Sequence, residues 1–178
     1  MKKNHLKTRT RMLAVSAVLS ALGIVVMLLG AVISVLDLTM VAIASIFVFF
    51  AIIEMGKPYH YLIYITTSML SILLLPDKLS ALLYIVFGGI YPMLKRLFEK
   101  LPVVLSWVLK AVYFNAVLLG TTLGAKYLFG IDEEGLTLML FVIGNVAFFM
   151  YDIAMTKLIT YYLLGLRKKF RIEKYFKK

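Results

Sequence analysis

The sequence predicts an all-α, polytopic membrane protein with six transmembrane helices and both termini on the cytoplasmic side. Of its 178 residues, 62% are hydrophobic and only 16% are charged, and the mean hydropathy is +0.94. A soluble domain is less apolar and carries more charge. The apolar residues form six runs separated by short polar breaks, and this length leaves room for about six crossings. Residues 1–178 are therefore predicted to form a single integral membrane domain.

The first three predicted helices end at residues that stop a membrane span. The first run starts after Arg11 and ends before Asp37. With about 24 residues and no small-residue cleavage stretch, it is predicted to be a retained helix rather than a signal peptide. The second run closes at Gly56-Lys57-Pro58, and the third closes at Pro76-Asp77-Lys78. Both of these runs are short for a membrane span.

The last three helices are bounded by charge. Lys95 begins an interfacial stretch that ends at Pro102, and the acidic turn Asp132 to Glu134 precedes the sixth run. A basic tail, residues 167–178, follows that run. The predicted spans are residues 12–35, 38–55, 59–75, 79–94, 103–128 and 136–166.

Lysine and arginine predict the orientation, because cations near the ends of crossings stay on the cytoplasmic side. With both termini inside, only Lys78 and Lys126 fall outside, whereas most acidic residues are external. The net charge of +11 is thereby explained as a determinant of topology. A nucleic-acid partner is not expected, since that function needs a cationic face on a soluble scaffold.

The sequence contains no recognisable catalytic constellation. It has no cysteine, which excludes disulfides and thiolate chemistry. It also lacks an HExxH motif, a glycine-rich phosphate loop and paired carboxylates near one face. We therefore expect neither an enzyme nor a cofactor, and His60 alone is weak evidence for a metal site.

Ionisable residues inside the predicted spans are the strongest candidates for function, because inserting each costs on the order of 3 kcal/mol unless it faces a partner or a wet cavity. Lys110 shares a helix face with Tyr113, and Asp152 shares one with Asn145 and Thr156. The two stripes could face each other, but their depths differ, so a direct salt bridge stays open. The pair either fixes helix packing or lines a ligand cavity. The candidate substrate-binding residues are Tyr84, Lys110, Asn115, Asn145 and Asp152.

Other polar residues in the spans have simpler explanations. Glu54 precedes Lys57 by three residues, and an interfacial ion pair accounts for it. Lys157 is close enough to a span end to snorkel in part, so its role stays open. A polar stripe on the third span is predicted to pack against neighbouring helices more readily than to contact a ligand. Its members are His60, Tyr64, Thr67 and Ser71.

The start of the first span resembles a known family. A basic leader, Lys7 to Arg11, runs directly into the alanine-rich stretch Met12 to Gly23. This pattern is similar to the opening of the substrate-binding S components of energy-coupling factor (ECF) transporters. Those small six-helix bacterial membrane proteins capture vitamins or metal ions and dock on a shared transmembrane subunit driven by two ATPases. In that family an AxxxA face contacts the shared subunit; Ala17 and Ala21 match it, and Ala14 backs it.

The resemblance implies an S-component-like bundle in the cell membrane that serves as the capture subunit of an ECF-type ABC uptake transporter. Helices one to three would face the coupling subunit, and the outer ends of helices four to six would hold a vitamin or other small solute. The second span, 38–55, lacks the glycine and proline found there in many family members. Residues 76–92 also resemble uncharacterised proteins of similar architecture. The alternative is therefore a non-transport membrane scaffold with the same fold.

Overall fold

A computed structural model describes residues 2–33, 37–129 and 137–169. These ranges are helical and contain no strand, which confirms the predicted all-α class. The helices are α1 (Lys2–Val32), α2 (Asp37–Glu54), α3 (Tyr59–Leu74), α4 (Lys78–Leu83), α5 (Tyr91–Phe98), α6 (Val103–Phe129) and α7 (Thr137–Tyr161). A π-helical turn, Tyr84–Gly88, extends α4, and another, Tyr162–Leu166, extends α7 into a short helix, Arg167–Lys169.

Within the described ranges, five helical segments are long and apolar enough to cross a membrane. They are Thr8–Val32, Asp37–Glu54, Lys78–Phe98, Val103–Gly124 and Phe141–Lys169. The remaining helix, α3, is apolar but has 16 residues. That gives it a length of about 24 Å, less than the roughly 30 Å of a bilayer core. The chain is thus consistent with a multi-pass membrane protein, and the sixth crossing stays a prediction.

The helix boundaries differ from the predicted spans at two places. α1 begins at Lys2 rather than at residue 12, because hydropathy marks the membrane-crossing part of a helix and not its polar extension. The fourth predicted span ended at residue 94, whereas α5 continues to Phe98. The end of the first span at residue 35, the acidic turn Asp132 to Glu134, and the tail beyond residue 169 lie outside the described residues.

The helices pack around α2. α1, α2 and α3 contact one another, and α2 also contacts α4 and α5. α6 packs on α4 and α5, and α7 packs on α6. α1 approaches α3 closely at Gly23, where a Cβ atom would lie 3.3 Å from Thr67 Cγ2. The predicted polar stripe of α3 faces this interior, since the side chains of His60, Thr67 and Ser71 are buried.

The α3–α4 turn is fixed by two caps of opposite charge. Lys78 Nζ donates to the carbonyl oxygens of Ile72 and Leu75, each at 2.8 Å, at the end of α3. The Asp77 carboxylate accepts from the amides of Leu79 and Ser80 and from the Ser80 hydroxyl at the start of α4. Burial raises the pKa of Asp77, but the bonds from Ser80 and Leu79 outweigh burial and hold this pKa below its ordinary value.

The passage from α4 to α5 is an interrupted helix that accepts hydrogen bonds from two tyrosines. Pro92, near the start of α5, has no amide hydrogen to donate to the preceding turn. The Tyr64 hydroxyl donates to the carbonyl oxygen of Ile85 at 3.0 Å, and the Tyr113 hydroxyl donates to that of Val86. Hydrogen bonds from α3 and α6 therefore hold the π-helical turn in place. That turn sets the direction of α5.

Candidate functional site

Asp152 is the centre of a buried group of charges that joins α5, α6 and α7. Its carboxylate is paired with Lys95 Nζ through one oxygen and with Lys110 Nζ, at 2.9 Å, through the other. The Tyr91 hydroxyl also donates to the first oxygen. The exposed fractions are 1% for Asp152, 0% for Lys95 and 4% for Lys110. Charges this deeply buried are tolerated only when they are paired and hydrogen-bonded.

Glu99 completes the group. Its Oε1 lies 2.8 Å from Lys95 Nζ and 3.5 Å from Lys110 Nζ. We call Lys95, Glu99, Lys110 and Asp152 the ion-pair cluster. Its two cations and two anions cancel formally, and Lys95 Nζ donates a further bond to the Thr156 hydroxyl at 2.8 Å. The cluster therefore holds three helices together without net charge.

At this cluster the structure answers one question that the sequence leaves open and adds a residue that the sequence does not single out. Lys110 and Asp152 do form a direct salt bridge, because the long lysine side chain spans their difference in depth. Lys95 belongs to the predicted interfacial stretch, but its side chain is buried inside the chain. Its neighbours Arg96 and Lys100 are exposed and mark a span end, whereas Lys95 points inward. The signal that could have found it is helical spacing, since Lys95 follows Tyr91 by one turn on the same buried face.

An aromatic layer lies against the ion-pair cluster. The Phe87 ring is stacked on Tyr91 at 5.1 Å between centroids and meets Phe148 edge-on at 5.9 Å. Tyr113 and Phe114 approach Phe87 from α6. Tyr91 joins this layer to Asp152 through its hydroxyl, so apolar rings lie next to the cluster, where they lower the local dielectric and strengthen the pairing.

The candidate residues Asn115 and Asn145 form a reciprocal amide pair between α6 and α7. Each side-chain nitrogen donates to the other side-chain oxygen, at 2.9 and 3.0 Å. Each nitrogen also donates to a backbone carbonyl four residues back, of Ala111 and Phe141 respectively, at 2.8 Å. Both hydrogens of each amide are thus engaged, so the pair serves as a clamp between the two helices.

A half-open cavity of about 330 Å³ lies between α4 and α6, and two of its lining residues, Ala116 and Gly120, are exposed. It is close to the α3–α4 end of the bundle, and its lining is mostly apolar. The lining residues are Leu82, Val86, Tyr113, Ala116, Val117, Gly120 and Thr121. None of the five candidate substrate-binding residues is among them. Tyr84, for example, is 1% exposed and packs with Met27 and Val41 on the opposite side of α4.

The candidate docking residues Ala14, Ala17 and Ala21 lie together on an exposed face of α1. Within the part of the chain that the structure describes nothing shields them, whereas Ser16 and Ser20 on the opposite face are buried. Ser16 satisfies its hydroxyl by donating to the carbonyl oxygen of Met12 at 2.9 Å. The helix therefore buries its hydroxyl face within the chain and presents its alanine face outward.

Two further charged residues are placed by the structure. The predicted ion pair of Glu54 with Lys57 is wrong, because Glu54 points inward and lies 2.7 Å from Arg167 Nε instead. The Tyr162 hydroxyl also donates to Glu54 at 3.0 Å, so the extension of α7 is tied to the end of α2. Lys157 is exposed on α7.

Comparisons with protein-family models, curated proteins and solved structures give no match for this chain. The geometry of the chain itself therefore carries the functional argument.

Proposed function

We propose that the chain is the membrane-embedded substrate-capture subunit of an ECF-type ABC uptake transporter. The observation that carries the proposal is the cavity between α4 and α6. Its volume of about 330 Å³ falls within the range of small-molecule sites. With both termini cytoplasmic, as the distribution of lysine and arginine predicts, the cavity lies in the outer half of the cell membrane. Solute binds there and is released without a covalent step.

The lining of the cavity indicates the kind of solute. The Tyr113 hydroxyl is already bonded to the carbonyl oxygen of Val86. The Thr121 hydroxyl donates within its own helix to the carbonyl oxygens of Val117 and Leu118, each at 3.0 Å. With these hydroxyl hydrogens engaged, the remaining wall is hydrocarbon, which favours a largely apolar vitamin-like molecule over an ionic one.

The alanine face of α1 supports the second half of the proposal, docking on a shared transmembrane coupling subunit that is driven by ATPases. Small side chains let two helix backbones approach closely in a membrane, where apolar burial alone provides little attraction. Ala14, Ala17 and Ala21 are exposed together in the isolated chain. A partner helix can therefore reach the backbone of α1 along this face.

Filling the cavity is expected to abolish solute binding while leaving the fold intact. A Cβ atom on Gly120 would meet nothing within 4 Å, so the side chain of Gly120→Leu has room to enter the cavity. The measurement is a thermal-shift screen of vitamins and other apolar solutes against purified protein. We expect at least one solute to raise the unfolding temperature of the wild type but not of the variant.

The matched control is Gly165→Leu, the same substitution at another open position, remote from the cavity on the extension of α7. Its response to the solute should equal that of the wild type. Equal stabilisation of Gly120→Leu by every active solute would contradict the placement of the binding site.

Enlarging the alanine face is expected to prevent docking. Ala17→Leu combined with Ala21→Leu adds bulk where close helix approach is required. Copurification should recover a larger transmembrane subunit and ATPases with the wild type and lose both with the double variant. The control combines Ala147→Leu with Ala154→Leu, two exposed alanines of α7. Retention of a tight complex by the α1 variant would refute docking through this face.

The alternative, a non-transport membrane scaffold of the same fold, is favoured by the closed pairing of the polar residues. Asp152 and the asparagine pair are satisfied by each other and by neighbouring helices, as rigid packing requires. The two functions predict opposite results in the solute screen. A scaffold would give no solute-dependent shift in either the wild type or the Gly120→Leu variant, yet would still copurify with membrane partners.

A further inference from the structure

The four charges of the ion-pair cluster are buried to very different degrees. The side chains of Lys95, Lys110 and Asp152 are between 1% and 5% exposed, whereas that of Glu99 is 43% exposed. Asp152 can neutralise only one of the two ammonium groups. The second positive charge, buried in an apolar bundle, therefore depends on a carboxylate at the open side of the cluster.

The geometry at Glu99 is that of an anion held between two cations. A single oxygen, Oε1, faces both ammonium groups, at 2.8 Å from Lys95 and 3.5 Å from Lys110. Because this second distance is longer, the ion pair between Lys110 and Glu99 is the weaker of the two. Because Glu99 is near the end of α5 and half-exposed, its side chain has room to turn outward, which leaves one buried positive charge without its carboxylate.

We propose that the Glu99 carboxylate occupies a site for a phosphate group, either a phospholipid headgroup or free inorganic phosphate. When Glu99 turns outward, a phosphate oxygen takes its position between Lys95 and Lys110 and restores neutrality. A phosphate offers more acceptor oxygens than a carboxylate and can bond both ammonium groups at full strength. The exposed cations Arg96 and Lys100 follow Lys95 and Glu99 directly in the sequence and add positive charge at this end of α5, which attracts an anion.

The site contains a fluorescent residue that reports on binding. Trp107 is the only tryptophan of the chain, and Lys110 Nζ lies 5.1 Å from the centre of its ring. Tryptophan is also typical of the membrane interface, where lipid headgroups lie. Any anion that binds Lys110 changes the surroundings of Trp107, so the tryptophan fluorescence follows binding directly.

The test compares the wild type with Glu99→Gln, which removes the resident anion and keeps the shape of the side chain. In one arm, inorganic phosphate is titrated into the detergent-purified protein. In the other, the protein is placed in nanodiscs containing phosphatidylglycerol or phosphatidylcholine with brominated acyl chains, which quench nearby tryptophan. We expect Glu99→Gln to raise the affinity for the phosphate source about tenfold, the value of one hydrogen bond between charged groups.

The two arms separate the sources of phosphate. A headgroup site gives stronger quenching by phosphatidylglycerol than by phosphatidylcholine, and the difference increases in Glu99→Gln. A site for free phosphate gives a titration in detergent and no preference between the two lipids. The control is Glu173→Gln, which makes the same change of charge in the basic tail. Identical responses of Glu99→Gln and Glu173→Gln in both arms would overturn the proposal.

A second variant, Glu99→Asp, controls for a folding defect caused by Glu99→Gln. Glu99→Asp keeps the negative charge but shortens the side chain, which withdraws the carboxylate from both ammonium groups. It should shift phosphate binding in the same direction as Glu99→Gln, by a smaller factor. Tighter binding by Glu99→Gln that disappears on adding Lys110→Met assigns the site to Lys110. Tighter binding that survives this change would refute the site.

Discussion

Asp152→Asn is expected to destabilise the protein by about 3 kcal/mol or more, the cost of removing one partner from a buried ion pair. The substitution keeps the shape of the side chain but leaves Lys95 and Lys110 with Glu99 as their remaining carboxylate in the cluster. Because both ammonium groups are buried, neither can recover its hydration without opening the bundle. Unfolding followed by denaturant titration or heating in detergent measures the loss.

Restoring the balance of charge should reverse most of this effect. Asp152→Asn combined with Lys110→Met leaves Lys95 paired with Glu99 and is expected to be markedly more stable than Asp152→Asn alone. The control is Asp77→Asn, which makes the same change at the start of α4. Asparagine can keep the capping bond to one of the two oxygens of this carboxylate, so this control should lose clearly less stability than Asp152→Asn. An Asp152→Asn protein that unfolds like the wild type would show that the ion-pair cluster does not stabilise the fold.

The sequence predicts half of this cluster, for a physical reason. Lys110 and Asp152 stand out because each interrupts a long apolar run, and helical spacing places each on a polar stripe. Lys95 does not stand out, because it is next to Arg96 and close to Glu99 and Lys100. Such a group indicates a span end, and hydropathy cannot tell which of its members turns inward. Which side chain turns inward depends on the orientation that α4 and its π-helical turn give to α5.

The helical architecture was predictable where hydropathy is continuous, as in α2 and α6. The π-helical turn Tyr84–Gly88 was not, because it depends on hydroxyl groups from distant parts of the chain. Tyr64 and Tyr113 are ordinary aromatic residues in their own helices. They act as caps only after α3 and α6 have packed against α4. The cavity is equally a product of packing, since apolar residues and a glycine at helical spacing do not reveal whether the space between helices is filled.

Gly89→Ala is expected to have the second largest effect, a loss of about 2–3 kcal/mol from overpacking and a broken hydrogen bond. The backbone of Gly89 is right-handed helical, with φ of −84° and ψ of −35°, so alanine meets no backbone strain there. The added Cβ would instead overlap the Tyr64 ring. If that ring moves, the carbonyl oxygen of Ile85 loses the hydrogen bond from the Tyr64 hydroxyl.

Two comparisons distinguish this mechanism from a general sensitivity of glycine. Gly120→Ala adds the same methyl group where nothing lies within 4 Å, and it should stabilise its helix by about 0.5–1 kcal/mol. In a Tyr64→Leu background, Gly89→Ala should cost much less than in the wild type, because the obstructing ring and its hydrogen bond are already gone. Additive losses in that double-mutant cycle would show that Gly89 acts independently of Tyr64. A non-additive result would instead identify the contact between α3 and the π-helical turn as the element that aims α5, and with it Lys95, into the bundle.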